Sequence, residues 1–216
     1  GFNVGDRVGD RVGAVSANRA ALAAALPAGM RVCWLRQVHG TEVVEVSGAA
    51  GVPEADAAVS RSPGLACAVV TADCLPVLLS SARGDCVAAV HAGWRGLAAG
   101  IIERTLDALG TDPESSRAWL GPAIGPDAFE GGPEVRARFL ASATGAQAAV
   151  AACFRASPGD RYLCDLRALA ELRLRARGVR LIAGDRRCTF ADATRFYSHR
   201  RDGRTGRMAF LIAPAP

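Results

Sequence analysis

Two short apolar runs, separated by turn-forming residues, dominate the hydrophobic pattern of the chain. Leu75 to Ser80 and Cys86 to Val90 are rich in Val, Leu and Ala, and Ala82 to Asp85 lies between them. Apolar runs of this length around a Gly-containing connection are typical of a β-hairpin. The pattern therefore predicts two neighbouring antiparallel strands in the middle of the chain.

The register of this hairpin determines which polar residues meet. A turn centred between Ala82 and Arg83 places Cys74 directly opposite His91. Directly opposite residues point to the same face of a sheet, with Cβ atoms about 4.5–5.5 Å apart. A slip of one residue would place the two side chains on opposite faces. The prediction that a thiol and an imidazole meet here therefore depends on the register.

The rest of the pattern mixes strands and helices. Apolar residues recur at helical spacing from Leu97 to Leu109, and Gly110 ends that helix. Further helices are predicted over residues 16–26, 134–142 and 167–177. Further strands are predicted over residues 32–35, 41–46, 57–59, 65–70, 119–120, 162–166, 179–183 and 208–212. No linker divides the chain and hairpins outnumber βαβ units, so residues 1–216 are predicted to form a single α+β domain.

Composition and charge exclude several classes of protein. Half of the 216 residues are hydrophobic, and no apolar run approaches the ~18 residues of a membrane span. We therefore expect a globular protein that does not bind a membrane. The formal charge is +5 and every basic residue is Arg, but the aromatic residues are few and the basic ones are spread out. This distribution argues against nucleic acid as a partner and favours an Arg-lined pocket for phosphate or carboxylate.

The cysteines bear on the cellular compartment. There are seven, an odd number, and they show neither a CxxC motif nor the spacing of a disulfide framework. This usage favours a reducing compartment, so we expect the protein in the cytoplasm. No feature of the sequence indicates an obligate protein partner.

Histidine is scarce, and its positions indicate a candidate metal site. The chain has three His, and His39 and His91 each lie beside Gly or in a Gly-flanked turn at the end of a predicted strand. With Cys74 they would provide three zinc ligands and leave a fourth position open, as in catalytic zinc sites. Copper is the weaker alternative, because a multicopper site needs more His and nothing places Met30 or Met208 near a blue-copper site.

Two further positions are candidates for supporting roles. Arg95 lies just before the helix that is predicted from Leu97, where free backbone N–H groups and a guanidinium would favour an anion. Asp73 adjoins Cys74 and is a candidate general acid or base. On a regular strand, however, its side chain would face away from Cys74.

Five motifs in order resemble the laccase-domain family over essentially the whole chain. They are RQVHG at 36–40, TADCLPVLL at 71–79, VHAGWRG at 90–96, GPAIGP at 121–126 and YSHRRDGRTGRM at 197–208. Members of this family were first described as polyphenol oxidases and are now regarded as zinc-dependent purine nucleoside phosphorylases with adenosine deaminase activity. The resemblance implies an α+β fold in which mixed sheets pack as a sandwich with flanking helices.

The resemblance also implies roles for particular residues. The His, Cys and His that bind the metal in the family's motifs fall on His39, Cys74 and His91. These are the three residues that the hairpin and the scarcity of His already indicate. Cys74, His91 and Asp73 are then the candidate catalytic residues, and zinc is the expected cofactor.

The expected reaction is phosphorolysis of a purine nucleoside. Adenosine or inosine, with methylthioadenosine as a further candidate, would react with phosphate to give the free base and ribose 1-phosphate. Because the chain has no Lys, Arg must bind the phosphate, with Arg95 as the first candidate and Arg36 and Arg201 as weaker ones. Zinc could orient phosphate, or activate water for attack on adenine C6 in the deaminase reaction.

The chain departs from the family pattern in two places. Family members usually begin with a further segment that carries an RGGVS-like loop, whereas this sequence starts after it. Any substrate contact from that loop is therefore expected to be absent. The YEVG motif that often follows GPxIGP is replaced by residues 129–132, FEGG, and the missing Val is expected to loosen that turn.

Alternative functions remain open from the sequence. Cys74 as nucleophile and His91 as base would suit a hydrolase that acts on an amide or a peptidoglycan precursor. A copper-dependent polyphenol oxidase is the second alternative. A non-enzymatic binding protein is the third, and no feature supports it. Metal content separates the phosphorylase from the hydrolase, because a thiolate that binds zinc is not free for acylation.

Overall fold

The computed structural model describes residues 1–48 and 51–215, which form three β-sheets and seven helices. Numbered in chain order, the strands of the largest sheet lie side by side as β11 (Leu181–Gly184), β7 (Arg117–Leu120), β5 (Leu75–Ser80), β6 (Val87–Ala92), β3 (Ala57–Ser60) and β2 (Val43–Glu45). A second sheet consists of β1 (Arg31–Cys33), β4 (Leu65–Thr71) and β12 (Met208–Ile212). The third consists of β8 (Glu130–Gly131), β10 (Arg161–Cys164) and β9 (Phe154–Ser157).

The helices lie mostly between the strands in sequence. They are α1 (Val12–Ala24), α2 (Trp94–Ala99), α3 (Ile101–Leu109), α4 (Pro133–Ala141), α5 (Gln147–Ala151), α6 (Leu166–Ala176) and α7 (His199–Asp202). No helix in the described ranges combines the length and the apolar character that crossing a membrane would require.

The six-stranded sheet is the central layer of a sandwich. Helix α3 packs on one face, against β3 and β6, and the β1–β4–β12 sheet packs on the other. Strand β6 is buried along its whole length because it is covered on both faces. Burial on both faces explains why the sequence shows continuous apolar runs here and not alternation. The predicted α+β fold with packed mixed sheets and flanking helices is confirmed.

One predicted helix is divided in two. The sequence pattern predicts a single helix from Leu97 to Leu109, but α2 begins earlier, at Trp94, and Gly100 separates α2 from α3. Gly100 adopts a left-handed conformation with φ 97°, which ends one helix and starts the next. The apolar face of α3 is buried as the pattern predicts. Periodicity therefore located the buried face but not the break.

The N-terminal loop is fixed beside the C-terminal strand. The side chain of Asn3 accepts hydrogen bonds from the backbone N–H groups of Gly5 (2.8 Å) and Arg207 (2.8 Å). The N–H of Val4 also donates to the carbonyl of Arg207 at 3.3 Å. These contacts place residues 5–8 next to the end of β4, close to the site described below.

Candidate metal centre

Three side chains from distant parts of the sequence converge at one end of the central sheet. His39 lies in the loop between β1 and β2, Cys74 directly precedes β5, and His91 lies on β6. Their potential ligand atoms all lie within 4.8 Å of one another. Cys74 Sγ is 3.8 Å from His39 Nε2, and the two imidazole rings are 4.7 Å apart in an edge-to-face arrangement. Two imidazoles and one thiol therefore form a cluster that could hold a metal ion.

The hairpin register differs from the prediction. In the structure Pro76, not Cys74, lies opposite His91. The connection runs from residue 81 to residue 86, with Gly84 at a left-handed φ of 75°, so its centre falls between Arg83 and Gly84. The pairing is therefore shifted by two residues. Because side chains alternate with a period of two, this shift keeps Cys74 and His91 on the same face, as diagonal neighbours.

Asp56 organises the loop that carries His39. Its carboxylate accepts hydrogen bonds from the backbone N–H groups of Val38 (3.2 Å), His39 (2.9 Å) and Gly40 (2.6 Å). His39 has φ 62°, a left-handed conformation that is uncommon for a residue with a side chain. Three N–H groups converging on one buried carboxylate stabilise this conformation and direct the His39 imidazole towards the cluster.

The same carboxylate orients His91. The Nδ1–H of His91 donates to Asp56 Oδ1 at 2.7 Å, which leaves Nε2 free for a metal ion. An imidazole whose second nitrogen is bound by a carboxylate is a common arrangement in zinc sites. The donor set of two imidazole nitrogens and one sulfur also suits zinc. The residues present therefore fit a zinc ion.

Cys74 and His91 form a coupled acid–base pair. Burial would raise the pKa of the Cys74 thiol, but the nearby His91 charge and hydrogen bonds from His39 and His91 lower it to about 6. Burial would lower the pKa of His91, but the Cys74 thiolate and Asp56 raise it to about 9. Without a metal ion, the pair is therefore a thiolate and an imidazolium near neutral pH.

Gly93 has no side chain, and this leaves room for the side chains of His39 and Cys74. A Cβ atom at this position would lie 2.9 Å from His39 Cδ2 and 3.1 Å from Cys74 Sγ. Both distances are shorter than ordinary van der Waals contact. Gly93 is therefore required by close approach, not by an unusual backbone conformation, since its φ is −65°.

Asp73 is buried beside the cluster, but its carboxylate is directed to the C-terminal segment. It accepts hydrogen bonds from Thr189 Oγ1 (2.6 Å), Ser198 Oγ (3.1 Å) and the N–H of Arg200 (2.7 Å). Its φ of 87° is left-handed. These three donors occupy the carboxylate, which makes Asp73 an anchor for residues 198–200.

Two cavities meet at the cluster. The first, which we name the Arg207 cavity, has a volume of about 260 Å³ and is bordered by residues 5–8, Leu35, Gln37, residues 70–72 and Arg207. The second, which we name the Trp94 cavity, has a volume of about 270 Å³ and is bordered by Asp73, Trp94, Arg95, Ile124, Phe129, Leu166 and Arg200. The residues that line both cavities are His39, Ala72, Cys74 and His199.

The arginines proposed from the sequence lie in different environments. Arg95 lines the Trp94 cavity, and its guanidinium lies over the Trp94 ring, 4.4 Å from the ring centre. Arg36 pairs with Glu54 and is not among the described residues that line either cavity. Of these two, the structure brings only Arg95 to the cluster.

Arg201 has a structural role that the sequence did not show. Its guanidinium pairs with Asp202 and donates to the backbone carbonyls of residues 189, 190 and 196. It lines neither cavity in the described ranges. Arg201 therefore fixes the C-terminal loop, and a phosphate contact from its guanidinium is not supported by its position.

The sequence pattern gave no role to His199, although it is the third His of the chain. Its Nδ1–H donates to the carbonyl of Gly203 at 2.7 Å, so Nε2 is available to a ligand. The side chain lines both cavities. Asp56 was missed as well, and the available signal was an acidic residue between two alanines, directly before a buried strand.

Comparison with known proteins gives consistent matches over the whole chain. The "Purine nucleoside phosphorylase PA4543" of Pseudomonas aeruginosa is 49% identical over 210 residues, which cover 97% of this chain and 84% of that protein. The "Purine nucleoside phosphorylase YfiH" of Escherichia coli is 47% identical over 211 residues, which cover 97% and 85%. The crystal structure of Neisseria meningitidis NMB0706 superposes with a TM-score of 0.93 at 44% identity, covering 100% of this chain and 87% of that one.

A family-wide sequence comparison agrees with these individual matches. The sequence model of the family described as "Multi-copper polyphenol oxidoreductase laccase" matches residues 1–215. This range includes His39, Cys74 and His91 and every residue that lines the two cavities. The chain belongs to this multi-copper polyphenol oxidoreductase laccase family.

Proposed function

We propose that this chain is a zinc-dependent purine nucleoside phosphorylase. The observation that carries the proposal is the cluster of His39, Cys74 and His91, in which His39 and Cys74 line both cavities and His91 lines the Arg207 cavity. Relatives that match 97% of the chain are named purine nucleoside phosphorylases, which supports the same class of enzyme. The proposed reaction converts adenosine or inosine and phosphate into the free base and ribose 1-phosphate.

Zinc is the proposed metal because of the ligands. Two imidazoles and one thiolate match a catalytic zinc site with an open position, and His91 has the carboxylate partner that such ligands usually have. Copper remains the weaker choice, since a multicopper centre needs more than the three His in this chain. When bound, zinc supplies Lewis-acid chemistry to oxygen atoms of the reactants.

The Trp94 cavity is the proposed place for the purine. Trp94 and Phe129 provide aromatic surfaces, and Ile124 and Leu166 provide aliphatic ones. A flat heterocycle gains dispersion and offset stacking from such walls. Arg95 lies over the Trp94 ring and is exposed, so we propose that it contacts the substrate at the rim of this cavity.

His199 is the proposed proton donor or acceptor. Its side chain lines both cavities and its Nε2 is free, whereas the carboxylate of Asp73 is occupied by three donors. In deamination, the second proposed activity, water attacks adenine C6 and ammonia leaves, which also requires proton transfer. We therefore propose that His199 and not Asp73 serves both reactions.

The coupled pair of Cys74 and His91 favours one alternative function, a Cys–His hydrolase. The pKa of the Cys74 thiol is about 6, so Cys74 is a thiolate beside the His91 imidazolium at neutral pH. This is the usual state of the nucleophile in such a hydrolase. Iodoacetamide separates the two proposals. If Cys74 binds zinc, the zinc-loaded protein reacts slowly and chelator-treated protein reacts fast, whereas a hydrolase reacts fast in both states.

The test of the proposed function measures ribose 1-phosphate. Purified protein is supplemented with zinc and assayed on adenosine and inosine with and without phosphate, and inosine formed from adenosine is measured separately. We expect phosphate-dependent ribose 1-phosphate that is lost in Cys74→Ala and kept in Cys153→Ala. Cys153 is the matched control, since it is a partly exposed free cysteine outside both cavities. Stoichiometric zinc without any ribose 1-phosphate would contradict the proposal.

A further inference from the structure

Arg207 carries a positive charge that no carboxylate within the described residues pairs with. Its Nη1 donates to the backbone carbonyls of Thr205 (2.9 Å) and Gly206 (3.1 Å), and no ion pair of Arg207 forms within residues 1–48 and 51–215. The side chain is partly buried, and this burial lowers the pKa of its guanidinium. A half-buried guanidinium with donors to spare is the group that protein sites use to bind phosphate.

Thr71 is a second polar group in the same wall whose hydroxyl has no partner. The residue is 2% exposed, and its Oγ1 makes no hydrogen bond to any described residue. Buried hydroxyls are almost always hydrogen-bonded, and an orphan one calls for an explanation. Thr71 and Arg207 both line the Arg207 cavity, next to Cys74 and His91.

The other polar groups of this cavity are already engaged or exposed. The side-chain amide of Gln37 bonds the backbone of Val70 in both directions, at 2.9 and 2.7 Å. Asp6, the acidic residue of the N-terminal loop at the cavity, lies 3.5 Å from the guanidinium of Arg19. The Cys74 thiolate and Asp73 also act on Arg207, but each has its own partners. Arg7, which is exposed, is also among the residues that line this cavity.

We propose that the Arg207 cavity is the phosphate subsite, with the Arg207 guanidinium and the Thr71 hydroxyl as donors to phosphate oxygens. This inference rests on the proposed function and assigns phosphate and purine to opposite sides of the wall that His39, Cys74 and His199 form. It moves the phosphate away from Arg95, which stays a substrate contact in the Trp94 cavity.

With phosphate in the Arg207 cavity and the purine in the Trp94 cavity, every bond that forms or breaks in the transfer can be assigned. A phosphate oxygen forms the bond to ribose C1′ while the bond from C1′ to purine N9 breaks. The electron pair of that bond leaves with the base, and the proton of hydrogen phosphate ends on the base. The ribose then lies across the wall between the cavities, within reach of His199 Nε2.

Binding of inorganic phosphate tests the subsite directly. Dissociation constants are measured calorimetrically on zinc-loaded and on chelator-treated protein, so that binding to the metal ion itself is recognised. We expect Arg207→Gln to weaken phosphate binding about tenfold in both states, with a smaller loss in Arg207→Lys. Arg83→Gln removes the same charge from the hairpin turn and should bind phosphate like the wild type.

Thr71→Val and Thr71→Ser provide a pair that does not alter charge. Thr71→Val should weaken phosphate binding severalfold, and Thr71→Ser should restore most of the affinity. Because the hydroxyl is unpartnered in the free protein, Thr71→Val should leave the midpoint of thermal unfolding unchanged or raised. A hydroxyl with a purely structural role would lower the midpoint without changing phosphate affinity, and that result would remove Thr71 from the subsite.

Three results separate this inference from the proposed function. Wild-type phosphate affinity in Arg207→Gln, together with normal ribose 1-phosphate formation, would overturn the subsite and leave the phosphorylase standing. Phosphate binding that depends on Arg207 in a protein that forms no ribose 1-phosphate would overturn the phosphorylase and leave the anion site standing. Loss of phosphate binding in Arg95→Gln alone would place the phosphate in the Trp94 cavity and overturn the subsite.

Discussion

Two buried aspartates flank the cluster, and they are used in different ways. Asp56 is 0% exposed and supports the left-handed backbone of His39, whereas Asp73 is 8% exposed and is itself left-handed. Asp56 accepts hydrogen bonds from the His39 loop and from the His91 imidazole. Asp73 accepts hydrogen bonds from two hydroxyls and one backbone N–H of the C-terminal segment.

The contrast shows that burial of a carboxylate does not by itself indicate a catalytic role. Asp56 acts on two members of the cluster: it fixes the position of His39 and the proton of His91. Burial alone would raise the pKa of Asp56, but the hydrogen bond and the charge of His91, with the N–H groups of Gly40 and Val38, outweigh burial and lower the pKa below its ordinary value. Asp73 instead positions residues 198–200, and through them His199. One aspartate therefore orders the cluster of His39, Cys74 and His91, and the other supports the cavity walls.

Removing Asp56 should have the largest effect. Asp56→Ala leaves the His91 Nδ1–H and three backbone N–H groups without an acceptor in a buried site. We expect a loss of about 3–5 kcal/mol in the free energy of unfolding, together with loss of bound zinc. Urea unfolding and elemental analysis measure the two effects. The exposed Asp85, in the hairpin turn, gives the control variant Asp85→Ala.

Asp56→Asn makes the comparison sharper, because it keeps the shape and removes the charge. The amide still accepts some hydrogen bonds, so folding should suffer less than in Asp56→Ala. Zinc affinity should still fall, since the second nitrogen of His91 loses its anionic partner. Full zinc content in Asp56→Asn would contradict the role that is given to this carboxylate.

Removing the charge of Asp73 should have the next largest effect, and of another kind. Asp73→Asn weakens three hydrogen bonds, which should lower the free energy of unfolding by about 2–3 kcal/mol. Zinc content should remain near the wild-type value, because no hydrogen bond of this carboxylate reaches a metal ligand side chain. Turnover should fall as His199 loses its support. Loss of zinc from Asp73→Asn would show that the two aspartates act as one unit.

These contacts also show where the sequence was informative. The cluster of His39, Cys74 and His91 was predicted although the register was wrong, because a shift of two residues preserves the face of a strand. The break at Gly100 was not predicted, because a glycine on a helical pattern is compatible with both a continuous and a divided helix. The hydrophobic periodicity of a sequence shows which face of a helix is buried, but it does not show at which residue the helix ends.

The sequence could not show which polar groups meet across long separations. Asp56 and His91 are 35 positions apart, and Asp73 and Thr189 are 116 positions apart. Such pairs depend on how three sheets stack, which local patterns do not encode. For the same reason Arg201, a phosphate candidate from its motif, is a structural residue, whereas Arg207 lines the cavity.

The pH dependence of zinc binding should separate the contributions of the two ligands. The pKa of His91 is raised to about 9, so zinc must displace one proton from it at any pH below 9. The pKa of Cys74 is lowered to about 6, so its proton competes only below pH 6. We expect zinc affinity to rise about tenfold per pH unit between pH 6 and 9, and more steeply below 6.

Competition with a chelating dye across pH measures this profile. In Asp56→Asn, the pH at which zinc affinity stops rising should be lower, because His91 keeps the Cys74 thiolate but loses the second of the two groups that raise its pKa. In Asp73→Asn the profile should keep its shape. An affinity that does not change between pH 6 and 9 would contradict the coupling of Cys74 and His91.

The smallest expected effect concerns one bond of Asp73. Thr189→Val removes the 2.6 Å hydrogen bond to the carboxylate and keeps the size of the side chain. We expect a loss of about 1–2 kcal/mol in the free energy of unfolding and unchanged zinc content. Thr194→Val, in an exposed turn, is the matched control. A similar loss in both variants would mean that the hydrogen bond to Asp73 contributes no more to the free energy of unfolding than a hydrogen bond in an exposed turn.

The proposed chemistry depends on one zinc ion held by His39, Cys74 and His91. The decisive measurement is the zinc content per chain of wild-type protein and Cys74→Ala, after both are supplied with zinc and dialysed at a pH of about 7.5, where the Cys74 thiol is ionised. We predict about one zinc per wild-type chain and almost none in Cys74→Ala, with both proteins folded by circular dichroism. Equal zinc content in the two proteins would contradict the assignment of these ligands.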